Sequence, residues 1–159
     1  MKIDITKAFD SVNWEFLTLI LYKICLNIHN ANWILACVSC TNFVVIINGL
    51  PTDFFKAHRG LRQGCAWSPF LFILIMESLN RKILDTKEKG LIKGIIMTKH
   101  ICITHFIFVN ELVLGGESSI YEWSQFHHIL NIFWSASGLI KKSHKSEVIY
   151  SQVPRDVIK

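Results

Sequence analysis

Lys2-Ile3-Asp4-Ile5-Thr6-Lys7-Ala8-Phe9-Asp10-Ser11-Val12 carries the decisive pattern of the chain. Apolar and polar residues alternate from Lys2 to Thr6, the period of a strand with one face toward a core. The run breaks at Asp10-Ser11, where a loop is expected. Strand periodicity puts Asp4 on the face opposite Ile3 and Ile5. A carboxylate inside such a run is expensive to bury unpaired. Two readings of Asp4 stay open on spacing alone: a solvent-facing acid, or a hard-cation ligand held on a rigid strand.

Working outward, apolar residues at helical spacing (Phe16, Leu17, Ile20, Leu21, Ile24) predict a helix over about Asn13 to Cys25. Trp33, Ile34, Cys37 and Val38 predict a second, over about Asn30 to Cys40. Phe43 to Ile47 reads as a strand closed by the turn Asn48-Gly49-Leu50-Pro51, with a return through Phe54 and Phe55. Ser68 suits an N-cap and Pro69 the first turn of a helix reaching about Asp85. That helix is apolar around most of its first turns, which predicts burial. Short strands are expected near Ile95 to Met97 and Ile103 to Val109, with Glu111 to Gly115 returning antiparallel. Ser119-x-x-Glu122 has the form of a capping box for a helix to about Ala136, and Gly138 suits its C-terminal cap. A last strand is expected over Glu147 to Ser151. This order predicts an α+β domain over residues 1–152, an antiparallel sheet with helices packed on one face, followed by a polar tail over 153–159.

The chain has 159 residues, 51% of them hydrophobic, enough for one domain with its own core. The longest apolar run, Phe70 to Met76, stops at Glu77 and is far short of the roughly 20 residues that span a bilayer. No membrane partner is expected. The apolar excess instead fits a core cut from a larger protein, whose neighbouring segments would cover it. The formal net charge of +5 agrees with a polyanionic partner without requiring one. Basic residues gather at Lys56, His58, Arg59 and Arg62, and again at Lys141, Lys142, His144 and Lys145. Five cysteines at irregular spacing point to a reducing, intracellular setting. Cys37 and Cys40 lack a second Cys or His pair and read as buried helix residues rather than half a zinc site.

Three further stretches carry chemistry. Arg59-Gly60-Leu61-Arg62-Gln63-Gly64-Cys65-Ala66-Trp67-Ser68-Pro69 joins two guanidinium groups to flexible glycines, a combination that can cradle phosphate. Thr104 to Leu114 places Asn110-Glu111 at a hairpin tip. Ala136 to Lys141, followed by Lys145-Ser146-Glu147, closes the series.

With the opening stretch, these resemble motifs A to D of reverse transcriptases, in the form typical of plant non-LTR (LINE-type) retrotransposons. The resemblance runs from Lys2 to about Ser151, in the family's order and spacing. It implies a polymerase palm that joins a deoxynucleotide to a primer 3′-hydroxyl on an RNA template, using magnesium ions. It implies that Asp4 binds both ions and that Phe9 packs under the nucleotide sugar and rejects a 2′-hydroxyl. It places Gln63, beside Arg62 and Gly64, at the incoming nucleotide and template. It makes Lys145 the candidate proton donor to pyrophosphate. It also implies a nuclear setting, and fingers and thumb segments that this palm-only stretch lacks.

The match departs from the family at four places. Cys65 stands for an aspartate and Ala66-Trp67 for a proline-leucine pair. Asn110 and Glu111 stand where the family has two adjacent aspartates, leaving Asp4 and Glu111 as candidate metal ligands. Asn110 offers one neutral oxygen. The longer Glu111 side chain displaces its carboxylate by about an ångström, a misplacement worth on the order of a hundredfold in rate. A lost ligand charge adds about 3–4 kcal/mol to the barrier. The expectation is a degenerate, inactive retroelement fragment. The alternative is a non-catalytic nucleic-acid-binding or interaction module.

Overall fold

The computed structural model describes residues 1–99, 101–142 and 146–149. Strand β1 (Lys2–Thr6) is followed by a short turn of helix, α1 (Ala8–Ser11). Helices α2 (Trp14–Lys23) and α3 (Ile28–Ser39) come next. Four two-residue strands follow: β2 (Asn42–Phe43), β3 (Ile46–Ile47), β4 (Leu50–Pro51) and β5 (Phe55–Lys56). Helix α4 (Ser68–Glu88) leads to β6 (Ile95–Ile96) and β7 (Cys102–Ile103). The hairpin β8 (His105–Phe108) and β9 (Glu111–Leu114), helix α5 (Ile120–Ser137) and strand β10 (Ile140–Lys141) complete the described elements.

The main sheet has the order β10-β1-β9-β8, antiparallel throughout. Ile3 and Ile5 of β1 and Leu112 and Leu114 of β9 are buried on one face. They share a single core with Leu17 and Leu21 of α2, Leu71, Ile75, Leu79 and Ile83 of α4, and Phe126, Ile129 and Phe133 of α5. Each fully buried side chain of this size contributes roughly 1.5–3 kcal/mol of transfer free energy. The alternation read in β1 is therefore what fixes the sheet's inner face. Lys2, Asp4 and Thr6 fall on the other face, only partly covered. The α+β class and the antiparallel sheet stand as the sequence predicts.

Several local expectations are corrected. Helix α3 begins two residues early, because the Asn27 side chain accepts from the His29 N–H and caps it there. The segment after it is two short strand pairs, β2 with β5 and β3 with β4, around a turn at Asn48-Gly49. The pairs are separated where Thr52 turns its hydroxyl to the Val45 N–H. Ser68 is the first residue of α4, not its cap. That helix buries one stripe only: Leu71, Phe72, Ile75 and Met76 are inside, while Phe70 and Ile73 are exposed. Cys37 and Cys40 are exposed rather than buried. The strand beside β1 is β10, an element the sequence reading missed. Of the stretch expected as the last strand, Glu147 makes one isolated bridge to Lys2, and residues 150–159 lie outside the described ones.

Candidate active site

The first and third motifs meet on the partly covered face of the sheet. Strand β1 brings Asp4 directly opposite Glu111 of β9. The β8–β9 hairpin holds Asn110 at its two-residue turn, because Phe108 pairs with Glu111. The Ile5 N–H donates to the Asn110 carbonyl at 2.8 Å and ties that turn to β1. Val109, the other turn residue, sits at φ +52°, a conformation that β-branched residues avoid. The register thus holds a valine in a backbone position suited to glycine.

The polar side chains pair among themselves. The Asn110 amide donates to Asp4 Oδ1 at 3.0 Å. The Lys2 ammonium sits 2.9 Å from Glu111 Oε1. Its hydrogen bond and attraction to Glu111, with further attraction to Glu147 and Asp4, push the Lys2 pKa above its ordinary value. The β1 motif by itself gives Lys2 no role. Its place beside Asp4 on the strand, plus the β1–β9 register, is the signal that identifies it.

This donor set does not fit a two-ion centre. Two ions held about 3.5–4 Å apart need several carboxylate oxygens turned toward them. Here Asn110 turns an N–H, not an oxygen, to Asp4, and Glu111 faces an ammonium. Among the described residues, no group of three or more His, Cys, Asp or Glu side chains is arranged to hold a metal.

The second motif docks beside the first. The Gly60 N–H donates to the Val12 carbonyl and the Leu61 N–H to the Phe9 carbonyl, each at 2.7 Å. The Trp14 indole donates to the Gly60 carbonyl at 2.7 Å. Gly60 has φ +95°, and a Cβ there would lie 2.8 Å from the Asp10 carbonyl oxygen, so glycine is what permits this approach. The Gln63 amide reaches back to Asp10 Oδ1 at 3.2 Å, a partner the sequence reading left unassigned. Arg62, Gln63 and Gly64 are exposed. Phe9 stacks on Phe72 of α4, ring centroids 5.0 Å apart.

At the departure from the family pattern, Cys65 lies just before α4. The Trp67 backbone N–H, then Ser68 and the Arg62 charge, hold its thiol below the usual pKa despite some burial. It lines a largely apolar cleft of about 460 Å³ with Trp33, Val38, Trp67 and Leu71. Lys145, the candidate from the fourth motif, lies outside the described residues.

The chain matches the reverse transcriptase (RNA-dependent DNA polymerase) family over residues 1–157. It is also 39% identical over 67 residues to an uncharacterized mitochondrial protein of Arabidopsis thaliana, a match covering 42% of this chain and 55% of that relative. The chain thus spans about half the length of that curated relative. No helix among the described residues is long and apolar enough to cross a membrane. With the sheet, the hairpin and the glycine-bracketed loop arranged as above and the family matched over almost the whole chain, this protein belongs to the reverse transcriptase family.

Proposed function

We propose that this chain is the palm of a LINE-type reverse transcriptase that no longer transfers nucleotides and retains a basic surface for nucleic acid. The observation that carries the reading is the hydrogen bond from the Asn110 amide to Asp4. In the family's reaction, divalent ions activate the primer hydroxyl and neutralise the phosphates. Magnesium accepts only oxygen ligands in near-octahedral geometry. A donor N–H aimed at the principal ligand, and an ammonium on the remaining carboxylate, oppose that coordination. On this reading Phe9, Arg62, Gln63 and Gly64 meet the nucleotide and template, supported by the exposure of Arg62, Gln63 and Gly64 beside the β1 motif. Lys56, Arg59 and Arg62 are exposed and, among the described residues, form no ion pair. Unpaired cations of this kind favour phosphate backbones through counterion release.

Primer extension tests the proposal. The purified chain, given a labelled DNA primer on an RNA template with deoxynucleotides and magnesium or manganese, should retard the primer–template in a native gel at low salt. It should release it as salt rises, and add no nucleotide. Templated extension that disappears in the Asp4→Ala variant would refute the proposal.

A further inference from the structure

We infer that Asn110 and Lys2 make the Asp4–Glu111 junction a clamp that holds β1 to β9 without a divalent cation. The inference deepens the proposed function and rests on its reading of the junction as non-catalytic. Asp4 and Glu111 face each other across the two strands. Two carboxylates directly opposed on one sheet face repel and weaken the pairing. Each has instead been given its own donor from a neighbouring position. Asn110 supplies an amide N–H to Asp4 at 3.0 Å, and Lys2 supplies an ammonium to Glu111 at 2.9 Å. The Asn110 carbonyl accepts from the Ile5 N–H, so backbone and side chain of one residue both bridge to β1. Both side-chain bonds run diagonally across the register, from Lys2 to Glu111 and from Asn110 to Asp4. They therefore resist slippage of the register as well as separation of the strands.

The consequence concerns position 110. An aspartate there would replace the donor with a third carboxylate, next to an oxygen now 3.0 Å from the Asn110 nitrogen. The sheet would then need a cation or a proton to relieve the repulsion. Asparagine removes that need, and the junction becomes part of the scaffold.

Thermal melting of the full chain, in chelator and in millimolar manganese, tests this. The parent should melt at the same temperature in both. Asn110→Asp should melt lower than the parent in chelator, by about 3–6 °C for a domain of this size, and recover in manganese. Asn110→Ala should also melt lower, with no response to manganese, since it loses the hydrogen bond without adding charge. An Asn110→Asp chain that folds only in manganese supports the clamp. Should it fold in neither condition, Asn110→Ala decides: a lowered, manganese-insensitive melt supports the clamp, and a melt equal to the parent's overturns it. A parent stabilised by manganese as strongly as Asn110→Asp overturns it too. Templated synthesis by the parent would sink the functional proposal by itself. A manganese-responsive parent that makes no product would sink the clamp alone.

Discussion

Glu122 is 3% exposed, yet it is a carboxylate in a largely apolar surrounding. Its two oxygens accept from three backbone N–H groups: Lys93 at 3.0 Å, Gly94 at 2.9 Å and Glu117 at 2.9 Å. It therefore fastens the loop after α4 and the loop after β9 to the first turn of α5. The sequence marked this residue, but as the second half of a capping box with Ser119. Ser119 makes no such cap, because Glu122 is drawn to donors nearly thirty residues away that local spacing cannot reveal. Replacing Glu122 with alanine orphans three donors at once. The expected loss is about 3 kcal/mol, a fall in melting temperature on the order of 10 °C. Glu122→Gln should recover part of that loss, since one oxygen remains to accept while the new NH2 faces an N–H. A melt of Glu122→Ala that overlies the parent's would contradict this role. Asp4 and Asn110 contrast with it. The face of β1 that carries Asp4 was legible from strand alternation, while its meeting with the hairpin tip was implied only by the family resemblance. The Lys2–Glu111 pair was not, because a diagonal contact depends on a register that the sequence does not state.

Among the elements, β8 carries a partly buried polar contact. His105 Nε2 lies 2.7 Å from Asn80 Oδ1 of α4, and its Nδ1 lies 2.9 Å from the Thr104 hydroxyl. An amide oxygen can only accept, so Nε2 carries a proton, and in the neutral ring Nδ1 accepts from the Thr104 hydroxyl. Burial first, and then the nearby Lys87 charge, lower the His105 pKa, against a smaller opposing pull from Glu77. The unfolded chain then takes up a proton at a higher pH than the folded one. Stability from this contact is complete above the ordinary histidine value of about 6.5 and is lost as pH falls from there through the folded pKa. Urea midpoints measured from neutral pH into the mildly acid range should fall more steeply for the parent than for His105→Gln. Parallel curves would contradict the linkage. The same scale explains what the sequence could show of the elements. Strand β1 and helices α2 and α4 announce themselves by strong periodicity over many turns or residues. Strand β10 is two residues long, and its pairing with β1 bridges most of the chain, so no local pattern marks it. The burial expected all round the start of α4 failed for a related reason: apolar composition does not say which face meets the core.

For the molecule as a whole, the apolar composition divides between one continuous core and an uncovered surface. Trp33, Phe54 and Phe108 are each more than 70% exposed. The basic residues at Lys56, Arg59 and Arg62 lie exposed near the Gly60 loop. Family membership rests on the ordered motifs and their assembly around β1, and it survives the changes at 110 and 111. The fold needs the alternation, the glycines and the buried stripes, and those are intact. The proposed loss of chemistry depends on the side chains at 110 and 111, which here pair with Asp4 and Lys2 and so hold β1 to β9 instead of a metal. That separation explains how one chain keeps a polymerase scaffold around a junction whose carboxylates are already paired.

Manganese titration of the purified chain, followed by the electron paramagnetic resonance of the free ion, bears most directly on that junction. The expected result is no saturable site at sub-millimolar manganese in the parent, and the appearance of one in the Asn110→Asp/Glu111→Asp variant. Stoichiometric manganese binding by the parent that is lost on Asp4→Ala would contradict it.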